Sequence, residues 1–175
     1  MLGEKRVKEA ENNVREYLKE GLLKKQEFEE IVFSVLRKNA KESLDLANFI
    51  HNEGKSDLWA IVISYYSMYY IANAVLYRIG YKVGERISHK VTADALIVFV
   101  RKKLASSFLE TYDEMREEAL AGIRADSLLE SFDFERKKRG LIQYHTKELE
   151  KHSKAKTSIN RAKEFMFEME KMLRN

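Results

Sequence analysis

The chain contains no cysteine and no proline, only 7 glycines and a single tryptophan. Without cysteine there is no disulfide, no thiolate metal site and no cysteine nucleophile. Without proline, and with little glycine, nothing forces long helices to break. Runs of β-branched residues are few and short, while Leu, Ala, Lys and Glu dominate, which points to an all-α protein. The charge balance is only mildly basic. Lys and Arg number 32 against 28 Asp and Glu, a net charge of +4 with a pI near 9.1. That balance permits an anionic partner and does not require one. Lys- and Glu-rich composition without cysteine is also a thermophile-like trait. The segment MLGEKRVKEAENN has no apolar stretch of the secretory kind, so a cytoplasmic location is expected. Also missing are a phosphate-cradling glycine loop, a GxSxG turn and an HExxH motif.

At 175 residues one domain spanning 1–175 is the simplest organisation, long enough to bury a sizeable core. The organising stretch is residues 58–79, LWAIVISYYSMYYIANAVLYRI, uncharged from Leu58 to Tyr77. Val62, Tyr65, Tyr69, Ala72, Leu76 and Ile79 recur at helical spacing, and Trp59, Ile63, Tyr66, Tyr70 and Tyr77 cover much of the other side. A helix apolar on nearly every side is buried in a bundle or in a membrane. Ser64, Ser67, Asn73 and five tyrosines suit lipid poorly, so no membrane is expected.

Other helices are read around it. One covers 4–20 with Val7, Ala10, Val14, Tyr17 and Leu18 inward and Gly21 as its cap, and residues 1–21 are an extra N-terminal helix or extension. The next covers 25–51, with Phe28, Ile31, Val32, Val35, Leu36, Leu44, Ala47 and Ile50 as its stripe, and Gly54 ends it. Ser56 or Asp57 caps the central helix. Gly80 and Gly84 bracket a turn, after which Ser88 caps a helix over 89–103. Ser107 with Glu110 has the form of a capping box and opens a helix to Ala121, broken by Gly122. Asp126 caps a short helix, Gly140 lies in a turn, and a last helix covers 147–173. The expected fold is an antiparallel up-and-down helical bundle.

The segment from Ser64 to Ala72, SYYSMYYIA, then Ala74-Val75-Leu76, Gly80-Tyr81 and Ser88-His89-Lys90, resembles the HEPN superfamily of small prokaryotic helical proteins. The closing Ala162-Lys163-Glu164-Phe165-Met166 is similar to the ending of those members. The resemblance spans about 28–173. It implies a bundle of four or five helices that pairs as a homodimer and contacts RNA or nucleotides. It further implies a metal-independent endoribonuclease, the toxin of a toxin–antitoxin pair whose antitoxin partner is a small nucleotidyltransferase. The family signature is an arginine followed by four to six residues and a histidine. Arg139 and His145, with five residues between them, have that spacing, although Gly140 stands where the family has Asn, Asp or His.

In that reading His145 is the acid or base at the 2′-hydroxyl, Arg139 holds charge on the phosphorane, and Tyr144 stacks or hydrogen-bonds nearby. Arg136, Lys137 and Lys138, together with Arg101, Lys102 and Lys103, are the candidate phosphate contacts; the plain alternative is solvated helix ends. Tyr65, Tyr66, Tyr69 and Tyr70 line a nucleotide pocket or simply pack. His89 is read as a helix-start residue. His145, Glu148 and His152 have metal-ligand spacing that surface helices also produce by chance, and Asp113, Glu114, Glu117 and Glu118 read as an outer charged face; no metal or other cofactor is expected. The competing function is a non-catalytic binding or assembly protein acting through a protein partner.

Overall fold

The computed structural model describes residues 3–132 and 141–174, with side chains described throughout them except at 122 and 124–150. Arg136, Lys137, Lys138, Arg139 and Gly140 therefore lie outside the described residues, as do the side chains of Tyr144, His145 and Glu148. The fold is an all-α bundle with one small two-stranded ribbon. Its elements are α1 (Glu4–Lys19), β1 (Leu23–Lys25), α2 (Glu30–Asn52), α3 (Asp57–Arg78), β2 (Tyr81–Val83), α4 (Ser88–Phe99), α5 (Ser106–Phe132) and α6 (Leu141–Arg174).

Helix α3 is the axis. It packs against α2, α4, α5 and α6, and Tyr65, Met68, Ile71, Ala72, Ala74 and Leu76 are fully buried. Its length and apolar character alone would let it cross a membrane, but 67% of that stretch is buried inside the bundle. The Ser56 side chain caps it by accepting from the Trp59 N–H at 3.3 Å. At its start Trp59 is exposed, and at its end so is Ile79.

Two helices stop in the same way, on a glycine with positive φ. At Gly21 (φ 71°) the Leu22 N–H reaches back to the Tyr17 carbonyl, and at Gly54 (φ 59°) the Lys55 N–H reaches the Ile50 carbonyl. These six-to-one bonds satisfy carbonyls that the helix end would otherwise strand.

Several expectations are corrected. The second helix begins at Glu30 rather than residue 25, because Leu23–Lys25 is a strand. It pairs antiparallel with Tyr81–Val83, in the stretch read as a turn, with Leu23 opposite Val83 and Lys25 opposite Tyr81. Of the expected stripe, Ile31 and Val35 are exposed, and Phe28, ahead of the helix, is partly exposed against Phe33 and Tyr77; Val32, Leu36, Leu44, Ala47 and Ile50 pack against the core, where Phe33 and Ala40 join them. Leu18 is also exposed. Ser88 is not a cap but the first residue of α4, which ends at Phe99 rather than 103; the cap position is Ile87, held at φ 45° with no side-chain bond. A β-branched residue in that left-handed region carries strain of about 1–3 kcal/mol. Helix α5 starts at Ser106 and runs unbroken through Gly122 to Phe132, absorbing the separate helix expected from Asp126. Helix α6 starts at Leu141, six residues before the expected 147.

Helix α1 is tied to α4 through Asp94, a carboxylate with no solvent exposure. Arg6 Nη1 donates to its Oδ1 at 2.6 Å, while Asn13 Nδ2 and the Tyr17 hydroxyl donate to Oδ2 at 3.0 and 2.9 Å. A buried charge is tolerable only when paired and hydrogen-bonded, and all three donors come from α1. Burial opposes the charge on Arg6, yet the hydrogen bond and charge of Asp94, helped by Asp113 and Glu9, leave its pKa raised. Burial, then the Asp94 hydrogen bond, raises the Tyr17 phenol, which stays protonated and able to donate.

Candidate functional site

The densest gathering of chemically capable side chains lies where the middle of α3 meets the start of α4. Positions 65, 66, 69 and 70 follow one another at helical spacing, so four tyrosines sweep from the core to the surface. Tyr65 is fully buried; Tyr66, Tyr69 and Tyr70 are half-buried. His89, in the first turn of α4, stands against three of them. Ring centroids lie 4.6 Å from Tyr69, 5.5 Å from Tyr65 and 5.6 Å from Tyr66, the last edge-on. Behind Tyr65 come Tyr112 at 5.7 Å and, beyond it, Phe165 at 5.5 Å. Asn73 fixes the two helices by donating to Thr92 Oγ1 at 3.2 Å, and Thr92 in turn donates to the Ser88 carbonyl at 2.8 Å.

His89 is thus more than a helix-start residue. Its Nδ1 lies 2.8 Å from the Tyr65 hydroxyl. Burial raises the Tyr65 phenol far above its ordinary range, so that group keeps its proton and donates. The imidazole then accepts at Nδ1 and carries its own hydrogen on Nε2. Burial first, and the nearby Arg116 charge second, lower the His89 pKa, which favours that neutral form.

The sign of the pH effect follows. With the folded pKa below the unfolded one, His89 contributes stability that is complete above the ordinary histidine value and is lost as pH falls through the lowered one. Between pH 7 and pH 5 the wild-type melting temperature should fall more steeply than that of His89→Gln. Thermal melts across that range measure it, and parallel profiles would contradict a neutral, half-buried His89.

Beside the rings a cleft of about 330 Å³ is lined by Arg6, Glu9, Lys90, Asp94, Arg116, Glu117 and Leu120. Arg116 is mostly buried, 2.9 Å from Asp113 and 2.7 Å from Glu117. Its pKa is raised: burial opposes the charge, and Glu117 and Asp113 outweigh it. Asp113 itself is raised by burial, against the pull of Arg116 and Arg6. The cleft is lined by both acidic and basic groups and by no aromatic side chain, so the tyrosine surface lies beside it rather than in it.

No family model, curated protein or solved structure matches the chain.

Arg101 is bound to Glu11 at 3.1 Å, linking the end of α4 to α1, while Lys102 and Lys103 are exposed in the turn that follows. Asp113 points into the ion-pair group with Arg6 and Arg116 rather than standing on a plain outer face. His152 does not wait for His145 and Glu148. Its Nδ1 lies 3.2 Å from Asp57, which His51 also approaches. His51, Asp94 and Arg116 carry no motif in the sequence, and Asp57 stands out there only as a possible helix cap. The one other signal was that Asp94 interrupts an otherwise apolar face, in TADALIVF.

Proposed function

We propose that the protein is a HEPN-type helical protein that contacts RNA or nucleotides as a homodimer. The finer reading is a metal-independent endoribonuclease working against a nucleotidyltransferase antitoxin. The observation that carries the first statement is the half-exposed shelf of Tyr66, Tyr69 and Tyr70 against His89. Aromatic faces of this kind stack unpaired bases at about 1–3 kcal/mol each, whatever the sequence. Lys90, exposed in the turn that carries His89, supplies a cation for the adjoining phosphate. The all-α bundle around a tyrosine-rich axis accords with the family resemblance.

For cleavage, the residues are those the resemblance names. His145 takes the 2′-hydroxyl proton, Arg139 steadies the developing phosphorane charge, Tyr144 assists, and a second copy contributes the same set. Arg136, Lys137, Lys138 and Lys102 draw the backbone in; Arg101 joins them only by giving up Glu11.

The test is one labelled single-stranded RNA followed in binding and in cleavage. Wild type should bind with an affinity that falls as salt rises. Tyr69→Ala should weaken binding about tenfold, the loss of one stacked base. His145→Ala should bind normally and cleave at least a hundredfold more slowly. Cleavage unchanged in His145→Ala removes the nuclease, and binding unchanged in Tyr69→Ala removes the shelf.

A second feature supports the homodimer. Ile31, Val35, Leu46 and Phe49 of α2 are exposed, Ile31 by 73% and Phe49 by 58%. At 100° per residue they fall with Lys38 and Glu42 inside an arc of about 80°. The order along the stripe is apolar pair, Lys38, Glu42, apolar pair. Turned end for end it matches itself: Ile31 meets Phe49, Val35 meets Leu46 and Lys38 meets Glu42. An isologous interface requires that self-complementarity. The same stripe is what favours the competing reading, a non-catalytic assembly protein acting through a protein partner. A neighbouring nucleotidyltransferase gene would favour the first reading, and its absence the second.

A further inference from the structure

Near the opposite end of α3 from its C-terminal turn, three side chains from three helices converge. His51 sits in the last turn of α2, Asp57 is the first residue of α3, and His152 lies on α6. His51 Nδ1 is 3.1 Å from Asp57 Oδ1; His152 Nδ1 is 3.2 Å from the same oxygen and 3.3 Å from Oδ2. The two imidazoles stack, with centroids 4.4 Å apart and planes 27° from parallel. One ligand atom from each residue lies within 4.8 Å of both others.

We propose that His51, Asp57 and His152 form a site for a divalent transition metal of the Zn²⁺ class. Two imidazole nitrogens and one carboxylate oxygen suit a borderline-soft cation, and a three-residue protein set leaves one tetrahedral position for water. Bonds of about 2.0–2.1 Å in a tetrahedron put neighbouring ligand atoms about 3.3 Å apart. The nitrogen–oxygen separations of 3.1 and 3.2 Å are already close to that edge. In the metal-free arrangement both Nδ1–H groups donate to one carboxylate. To bind a cation, each imidazole carries its hydrogen on Nε2, exchanged through solvent, and offers the Nδ1 lone pair beside the carboxylate oxygen.

The surroundings make the arrangement stiff. One turn from each ligand stands a fully buried alanine: Ala47 before His51, Ala60 after Asp57 and Ala155 after His152. These alanines pack with Ile61 and Ile159 in a small cluster where α2, α3 and α6 meet. Alanine lets helix backbones approach closely, so the three ligands are carried on rigid elements rather than loops. The Gly54 turn sets the short path from His51 to Asp57. His51 also lies at a helix C-terminus, where the macrodipole favours a cation. His51 is largely buried while the His152 side chain is 57% exposed, which leaves the metal a route in from solvent.

This inference does not rest on the RNA reading, because none of the three residues belongs to that site. The experiment uses the full-length, tag-free chain, stripped with EDTA and dialysed. Zn²⁺ is titrated calorimetrically, and Co²⁺ is used as an absorbing probe. The expected result is one Zn²⁺ per chain, visible Co²⁺ d–d bands of a low-coordinate site, and a higher melting temperature with metal, reversed by EDTA. His152→Ala, at a largely exposed position, should keep the fold by circular dichroism and weaken Zn²⁺ binding at least tenfold. Asp57→Asn should do the same. No stoichiometric uptake by wild type, or undiminished uptake by His152→Ala, would overturn the site.

Discussion

Replacing Asp94 by alanine is expected to destabilise the protein by about 3 kcal/mol, more than any other single polar substitution in the bundle. The carboxylate is wholly buried and accepts from Arg6, Asn13 and Tyr17 at once. Removing it leaves the Asn13 and Tyr17 donors without this acceptor and leaves Arg6 with Asp113, at 3.5 Å. The value sits at the low end for a broken buried ion pair because the Arg6 side chain is 27% exposed and can recover some water. The partners should each cost less. Tyr17→Phe removes one donor and leaves two on the carboxylate, about 1 kcal/mol. Arg6→Ala leaves Asn13 and Tyr17 in place and should fall between the two. Asp94→Asn keeps the volume but turns an amide N–H toward donors, and should lie close to alanine rather than to wild type. Urea unfolding at pH 7 measures the order, and hydrogen exchange should show α1 losing protection first in Asp94→Ala. The arrangement fails if Asp94→Ala costs no more than Tyr17→Phe.

That anchor shows where the sequence is readable and where it is silent. The axis of the bundle was legible because nearly every side of residues 58–79 is apolar, a pattern only burial satisfies. Ser56, Gly21 and Gly54 were legible because capping chemistry is local: each acts within a few residues of itself. Asp94 acts on residues 77 to 88 positions away, and no local pattern carries that. The ribbon fails for the same reason. LKK and YKV are too short to show alternation, and they gain strand character only by meeting across more than 50 residues. Gly122 misled because glycine costs a helix only about 1 kcal/mol, which the flanking turns of α5 absorb.

Helix α2 misled more usefully. Its apolar residues spread over more than one face, and periodicity gathers the exposed Ile31 and Val35 with Val32, Leu36, Leu44, Ala47 and Ile50, which pack against the core. The core also takes Phe33 and Ala40, which the expected stripe omits, and Ala47, which it includes; alanine brings α2 close to α3 and α6. A second, bulkier stripe of Ile31, Val35, Leu46 and Phe49 is left exposed. Of the candidate site, His89 was visible only as a helix start, since its partner Tyr65 lies 24 residues earlier. The metal triad divides in the same way, with His51 and Asp57 6 residues apart and His152 a further 95 along the chain.

The bulkier stripe of α2 carries the second large prediction: Phe49→Asp should raise the dimer dissociation constant at least a hundredfold, read by analytical ultracentrifugation. In an antiparallel pairing about the midpoint between Lys38 and Glu42, each substitution acts twice, once per copy. Two carboxylates then face Ile31 side chains and lose their water without a partner, and the cost at an apolar contact is several kcal/mol. Phe49 is 58% exposed in the single chain, so the variant should fold with an unchanged melting temperature at low concentration. The charges give a sharper check than the apolar ends. Lys38 and Glu42 already form an i,i+4 pair at 3.6 Å within one helix. Across the two-fold axis, each would also face the other's counterpart. Glu42→Lys places lysine against lysine in both halves and should weaken the dimer about tenfold, more at low salt than at high. Adding Lys38→Glu restores opposite charges in reversed order and should recover most of the loss. A face used by an unrelated partner has no reason to accept that exchange, because nothing outside this chain was reversed with it. Recovery by the double reversal is thus the result specific to a second copy. A monomer at all concentrations, or a dimer indifferent to both Phe49→Asp and Glu42→Lys, would remove α2 from the interface and leave the stripe to a different protein.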